Sequence, residues 1–470
     1  MEELAAEKIV VKKQEDSLLS GKEKFSFFLV NMGNIPLMTL LGSFLLIFYT
    51  DVVGLDPAVI GTLFLVSRIF DGVNDPVMGY VIDHLPRTKM GRFRSYLIIG
   101  TIITSAVFLL TWLGPSLAPT PTGKIVLAFV GYILFGFAFD LMDIPLNSMI
   151  SVMSDRDRDR TTLSNIKGFA YMLGGVVIFI VALPIVGMFP TEQIGYHWLI
   201  IFFTAFVLFF SIIGTLGINE RVNPIGKEKY NTRDLFKILG NRAVFTHFLN
   251  QLVMMSANGI LQGSIIFFVT YVLNRPDLFT IFGVSRIIGT VIAIVLVPVM
   301  TRKFGKKNTK IIADIVSIAG FLAMFFLPAD KPMLFVIVQI ITSPGIGMTG
   351  ILMYSIQADN TDYVEWKQGH RAEGAVASLN SFIVKAGLGL GSGIGAYVLG
   401  MIGYVPNAVQ SAETIQGLYS LNFLIPALVS IAGVILWIVL YPINKHTNER
   451  MLSDLIRIRE MENAYNNIDE

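Results

Sequence analysis

The chain has 470 residues, of which 53% are hydrophobic and 15% charged, with a mean hydropathy of +0.65. Soluble domains carry about 25% charged residues, so this composition excludes an ordinary water-soluble fold and specifies a polytopic membrane protein. The net charge of +2 gives no ground for a nucleic-acid partner, and the absence of cysteine rules out disulfides, thiolate metal sites and a thiol nucleophile.

The N-terminal "MEELAAEKIVVKKQEDSLLSGKEK" (1–24) is polar and mixed in charge, without the apolar core and cleavage site of an export signal, and reads as a cytoplasmic tail. Crossing about 30 Å of hydrocarbon takes about 20 apolar residues. Such stretches fall near 26–50, 58–82, 96–114, 124–150, 164–188, 197–217, 244–273, 278–300, 310–328, 332–357, 374–402 and 416–442, which predicts an all-α protein with twelve transmembrane helices. The connection at 218–243 is the longest and most polar. It divides the chain into six-helix bundles at 25–217 and 244–442, the second followed by a cytoplasmic tail at 443–470.

Lysine and arginine test the orientation. Connections after even-numbered spans hold Arg87, Lys89, Arg92 and Arg94, then Arg156, Arg158 and Arg160, then the linker, then Arg302, Lys303, Lys306 and Lys307, then Lys367 and Arg371. Those after odd-numbered spans hold almost none, Arg275 and Lys331 excepted. Both termini are therefore expected in the cytoplasm, with the chain crossing the cell membrane. Short glycine-containing basic turns, "TKMGRFRS" after the second span and "TRKFGKKNT" after the eighth, echo each other. Parallel halves of this kind suit a transporter that rocks about a central site.

The second span interrupts its apolar run with Asp71 and Asp75, four apart and so on one helical face, with Asn74 beside them. An ionised aspartate at mid-membrane costs at least about 2.5–3.5 kcal/mol and marks an ion or proton path. Carboxylate and amide oxygens suit a hard monovalent cation or a proton. Arg68, one turn from Asp71, offers the plainer alternative of an ion pair. The fourth span carries Asp140 and Asp143 on one face, followed by Pro145, which loosens the helix.

Beyond the fourth span, "DRDRDR" (155–160) reads as a solvated turn from which Arg160 reaches a cytoplasmic gate, and Lys167 faces either the cavity or the interface. Lys385 is read as the one lysine or arginine deep in the second half, and so as the cationic partner of the aspartates; Ser381, one turn earlier, joins the candidate solute set. Gly387, Gly391 and Gly395 recur every fourth residue, as close helix packing requires. No histidine cluster, phosphate loop or nucleophile elbow is present, so an enzyme is not expected, nor any cofactor beyond a coupling cation.

The stretches "FYTDVVGLDPAVIGTLFLVSRIFDGVNDPVMGY", "MGRFRSYLIIGT", "LMDIP", "ADNTDYVEWKQGHRAEG" and "VLGMIGYVPNAVQS" resemble the glycoside-pentoside-hexuronide:cation symporters of the major facilitator superfamily, from about residue 24 to 445. The resemblance implies that Asp71, Asn74 and Asp75 bind the cation, that Asp143 binds sugar hydroxyls, and that Lys385 lies near the cation. It places Lys167 about where the family has a sugar-site arginine. Asp362, Arg371 and Glu373 match charged residues of a cytoplasmic connection that closes the inward side. Three departures stand out. Asn34 and Ile35 replace a lysine-aspartate pair found in the family, Asn147 replaces a tryptophan, and Asp140 replaces a cation-site threonine and adds a third carboxylate.

The reading is a monomeric symporter that couples sodium or proton entry to uptake of a sugar or glycoside. Its cation set is Asp71, Asn74, Asp75 and Asp140, with Asp71 and Asp75 holding the sodium where sodium binds. Its solute set is Asp143, Asn147, Lys167, Ser381 and Lys385. Two other readings remain open: a symporter of a non-sugar amphipathic solute, and a membrane sensor that does not transport.

Overall fold

The computed structural model describes residues 19–84, 86, 88–154, 156–222, 239–369 and 373–466. They are helical nearly throughout, and they belong to two compact units, Met1–Lys227 and Glu228–Glu470. The first unit holds α1 (Gly21–Ile47), α2 (Pro57–His84), α3 (Phe93–Leu117), α4 (Pro121–Met153), α5 (Asp157–Gly187) and α6 (Glu192–Leu216). The second holds α7 (Arg242–Phe267), α8 (Leu278–Phe325), α9 (Pro332–Gln368), α10 (Glu373–Met401), α11 (Ala412–Tyr419), α12 (Ile425–Leu440) and α13 (Lys445–Asn466).

Among the described residues, ten helical segments are long and apolar enough to cross a membrane. Gly305 is non-helical (φ 75°, ψ 163°) and breaks α8 into two spans. Counting α8 twice and adding α2, whose charged residues lower its hydropathy, gives the expected twelve. The tail after residue 442 is helical: α13 packs on α9, and the Trp366 indole N–H donates to Asp454 at 3.1 Å.

Local signals set the helix ends. Ser20 and Glu23 form a capping box at the start of α1, Thr120 caps α4 ahead of Pro121, and Thr191 caps α6. In the first unit α1 packs on α5 and α6, and α4 packs on α2 and α3. Phe48, Trp112, Phe108 and Tyr196 make an aromatic core there, and the buried Tyr49 hydroxyl donates to the Thr111 carbonyl at 2.6 Å. In the second unit α7 packs on α10 and α12, and α8 packs on α9 and α12. Gly387 and Gly391 permit the first of these contacts. A Cβ at Gly391 would lie 2.0 Å from the Ser256 carbonyl oxygen, and one at Gly387 2.5 Å from the Met255 side chain.

The halves repeat one another more closely than the basic turns alone indicate. The first helix of each unit runs into a π-helical turn, "FYTDV" at Phe48–Val52 and "FVTYV" at Phe268–Val272. The tripeptide Val-Ser-Arg then recurs at 66–68 and 284–286. Gly91 and Gly305, in the echoing turns, both take positive φ, 107° and 75°.

The expectation that Lys385 is the lone deep cation of the second half is corrected. Lys310 is buried in α8 and pairs with Asp314 at 2.6 Å, one helical turn away, and Arg286 lies further up the same helix. In sequence Lys310 stands at the very start of the expected ninth span, separated by two residues from "RKFGKK", where a membrane-edge position is the natural reading. The fold draws it inward past the Gly305 break, where Thr349 also donates to Asp314 at 2.6 Å.

Candidate functional site

Ionisable residues of α2 and α4 form one row. Along α4, Tyr132, Gly136, Asp140, Asp143 and Asn147 are spaced by three or four residues and share a face. α2 supplies the facing partners. Arg68 pairs with Asp71 at 2.8 Å and donates to the Tyr132 hydroxyl at 3.1 Å. One turn along, Asp71 Oδ1 lies 2.7 Å from where a Cβ on Gly136 would stand, so the glycine makes room for the carboxylate. One turn further, the Asn74 amide donates to Asp140 at 2.7 Å.

Asn74 and Asp140 are 1% and 3% exposed. The Asn74 amide oxygen is buried and accepts no hydrogen bond. A buried acceptor without a partner is costly, so this oxygen, on the amide that donates to Asp140, is suited to a cation or a proton donor. Asp75 occupies the next position of α2, and its side chain falls outside those described. Among the described residues no three acidic or histidine side chains cluster closely enough to hold a metal by themselves.

A second polar string begins one turn along α4. Asn147 donates to Asp143 at 2.8 Å and accepts from Lys167 of α5. The Lys167 ammonium lies 5.2 Å from the centre of the Tyr171 ring, and the Tyr171 hydroxyl donates to the buried Asn34 of α1 at 3.3 Å. Asp143, Asn147, Lys167, Tyr171 and Asn34 thus link three helices. Carboxylate, amides, ammonium and hydroxyl together offer both donors and acceptors, as recognition of a polyhydroxylated solute requires. Tyr171 was not singled out from sequence; its place one turn beyond Lys167 is the signal that points to it. Ile35, beside Asn34, packs against Gly174 instead.

Lys385 and Ser381 sit on α10 in the second unit, Lys385 half-buried and Ser381 exposed. Arg160 caps the end of α4, donating to the carbonyls of Ser154 at 3.0 Å and Ser151 at 3.4 Å. Asp362 is half-buried on α9. Arg371 lies outside the described residues, and so does the side chain of Glu373. One charge missed in sequence is Asp359, which pairs with Lys306 at 2.6 Å.

Buried charge on apolar helices and repeated halves fit a membrane transporter. The chain belongs to the MFS/sugar transport protein family, which it matches over residues 26–445. It is 32% identical over 411 residues to a glucuronide carrier protein homolog of Escherichia coli (strain K12), covering 85% of this chain and 88% of that one. It is 29% identical over 464 residues to an isoprimeverose transporter of Lactiplantibacillus pentosus, covering 95% and 94%. The crystal structure of a D-xylose-proton symporter shares the fold, with a TM-score of 0.66 at 14% identity over 90% of this chain and 98% of that one. The protein is a major facilitator transporter and not an enzyme.

Proposed function

We propose that the protein is a secondary active transporter that couples inward movement of a monovalent cation, sodium or proton, to uptake of a sugar or glycoside. The site opens alternately to the two sides of the membrane, and both chain ends are cytoplasmic. The observation that carries this reading is the row on α2 and α4, where the Arg68–Asp71 pair is followed by the Asn74–Asp140 bond with its unpaired Asn74 oxygen, one turn from Asp143 and Asn147. Placing the cation set beside the solute set on one helix lets occupancy of one bias the other. That the two relatives are a glucuronide carrier protein homolog and an isoprimeverose transporter supports a sugar-derived solute.

Uptake of labelled glycosides, pentosides and hexuronides into proteoliposomes, driven by a sodium gradient or by a pH gradient, tests the proposal. Accumulation that collapses with one of the two gradients is expected. Saturable binding of a sugar without accumulation under either gradient would instead identify a sensor.

A further inference from the structure

The two echoing basic turns meet different partners. In the first unit the turn at Gly91 is closed by Glu220, just after α6, whose carboxylate accepts the main-chain N–H groups of Arg92 at 2.9 Å and Arg94 at 2.8 Å. The Arg94 guanidinium then caps the end of α6 through the carbonyls of Thr215 and Leu216. In the second unit the turn at Gly305 is closed by a residue just after α12, but that residue is Lys445. The Lys307 ammonium caps the end of α12 through the carbonyls of Tyr441 at 2.6 Å and Ile438 at 3.2 Å. The scaffold is repeated while the closing charge is reversed.

The reversal leaves a basin of about 380 Å³ whose lining includes Arg302, Lys306, Lys307 and Lys445, with Asp359 and Glu449 as its acids. Asp359 is taken by Lys306. Among the described residues, Arg302, Lys307 and Lys445 reach no carboxylate at ion-pair distance. Lys445 donates to the Arg302 carbonyl at 3.0 Å, and Lys307 likewise ends on carbonyls. A carbonyl satisfies an N–H without cancelling the charge, and each ammonium has three donors to place.

The approach to the basin is apolar. Ile294, Pro298 and Arg302 recur every fourth residue on one face of α8, the first two exposed. Exposed Ile435, Ile438 and Val439 lie on α12, which packs on α8. Both helices are long and apolar enough to lie in hydrocarbon.

We propose that this basin binds the phosphate headgroup of an anionic phospholipid, which supplies to the second unit the negative charge that Glu220 supplies to the first. The acyl chains lie along the exposed faces of α8 and α12. Basic pockets between membrane helices are suited to such headgroups, and charge complementarity with adjoining apolar surface separates a lipid from a soluble anion.

The test uses the full chain in neutral detergent, titrated with phosphatidylglycerol or with inorganic phosphate, reading the thermal midpoint and lipid retention by native mass spectrometry. The triple variant Arg302→Gln/Lys307→Gln/Lys445→Gln removes three charges but keeps amide donors for the carbonyls. Lys303→Gln, in the same turn but outside the basin, is the control. Phosphatidylglycerol should raise the midpoint of the native protein and the control, with affinity weakened on the order of a hundredfold in the triple variant. Should the triple variant fail to fold, Arg302→Gln, which loses no side-chain hydrogen bond, should weaken binding about fivefold. Equal lipid affinity in Arg302→Gln, Lys303→Gln and native protein overturns the site, and a matching shift with inorganic phosphate alone overturns the lipid assignment.

Discussion

Asn74 and Asp140 stand 66 residues apart in the chain, yet the amide of one donates to the carboxylate of the other at 2.7 Å in the interior of the first unit. The bond ties α2 to α4 where both carry acids. Asp75 follows Asn74 in α2, and Asp71 pairs with Arg68 at 2.8 Å. Three acids on these two helices are the ground for predicting that a proton takes part in the coupling. Native uptake is therefore expected to alkalinise the medium and to vary with pH, while Asp140→Thr, which removes one acid, should become sodium-stimulated. Sodium dependence that is the same in both proteins and flat between about pH 5.5 and 8, a range spanning shifted carboxylates and histidine-like values, would count against it.

Asp143 accepts from Asn147 and lies a turn from the cation set. Replacing a charged acceptor with a neutral one weakens each hydroxyl hydrogen bond by about 1 kcal/mol or more. Asp143→Asn should therefore bind solute at least roughly tenfold less tightly while cation binding stays measurable. Isothermal titration of each ligand separates the two effects, and normal solute binding would remove Asp143 from the solute set.

Gly136 is predicted to be intolerant for a stated reason. A methyl there would stand 2.7 Å from Asp71 Oδ1, so Gly136→Ala must displace the carboxylate or push α2 and α4 apart. Overpacking of this kind costs about 1–3 kcal/mol. The larger effect should be on the cation: its affinity falls in Gly136→Ala, whereas Gly168→Ala, whose Cβ would meet no atom within 4 Å, leaves it unchanged.

Lys310 and Asp314 form a pair whose side chains are 4% and 3% exposed. Breaking a buried pair from one side strands the other charge and typically costs about 3–5 kcal/mol. Asp314→Asn should lower the thermal midpoint sharply, and Lys310→Met/Asp314→Leu should recover much of the loss. Equal destabilisation by the single and double changes would show that the cost is steric.

The orientation is testable because the chain lacks cysteine. Val409→Cys, at a fully exposed position, should react with an impermeant thiol reagent in intact cells. Lys303→Cys should react only after the membrane is opened, and the opposite pattern would invert the topology.

Much of the fold was legible because hydrocarbon imposes a coarse code. Length of apolar run gave the spans, and α2 was found despite its charges because Asp71 and Asp75 break an otherwise continuous stretch. What stayed hidden depends on depth and neighbours. Lys310 looked like the edge of a span because burial past Gly305 is a tertiary outcome, and Arg286 went unremarked although its tripeptide repeats that of Arg68. The link from Asp143 and Asn147 through Lys167 and Tyr171 to Asn34 crosses three helices, so no local pattern announces it. The close approach of Gly136 and Asp71 is likewise a fact about two helices, with no signature in either alone.

Repetition of the scaffold has a bearing on stoichiometry. Counted from the shared Val-Ser-Arg, the second-unit counterpart of Asp71 is Gly289, and those of Asn74 and Asp75 are Ile292 and Ala293. A side chain at Gly289 would collide with Ser343 of α9, its Cβ 2.3 Å from the Oγ, so the facing helices have exchanged which of them is small. The position equivalent to Asp71 therefore has no room for an acid side chain, and on the proposed assignment the ion set, among the described residues, stands in the first unit. The work available per turnover is then bounded by the gradient of whatever that set holds, and a second equivalent of driving force cannot be gained by restoring an acid at position 289.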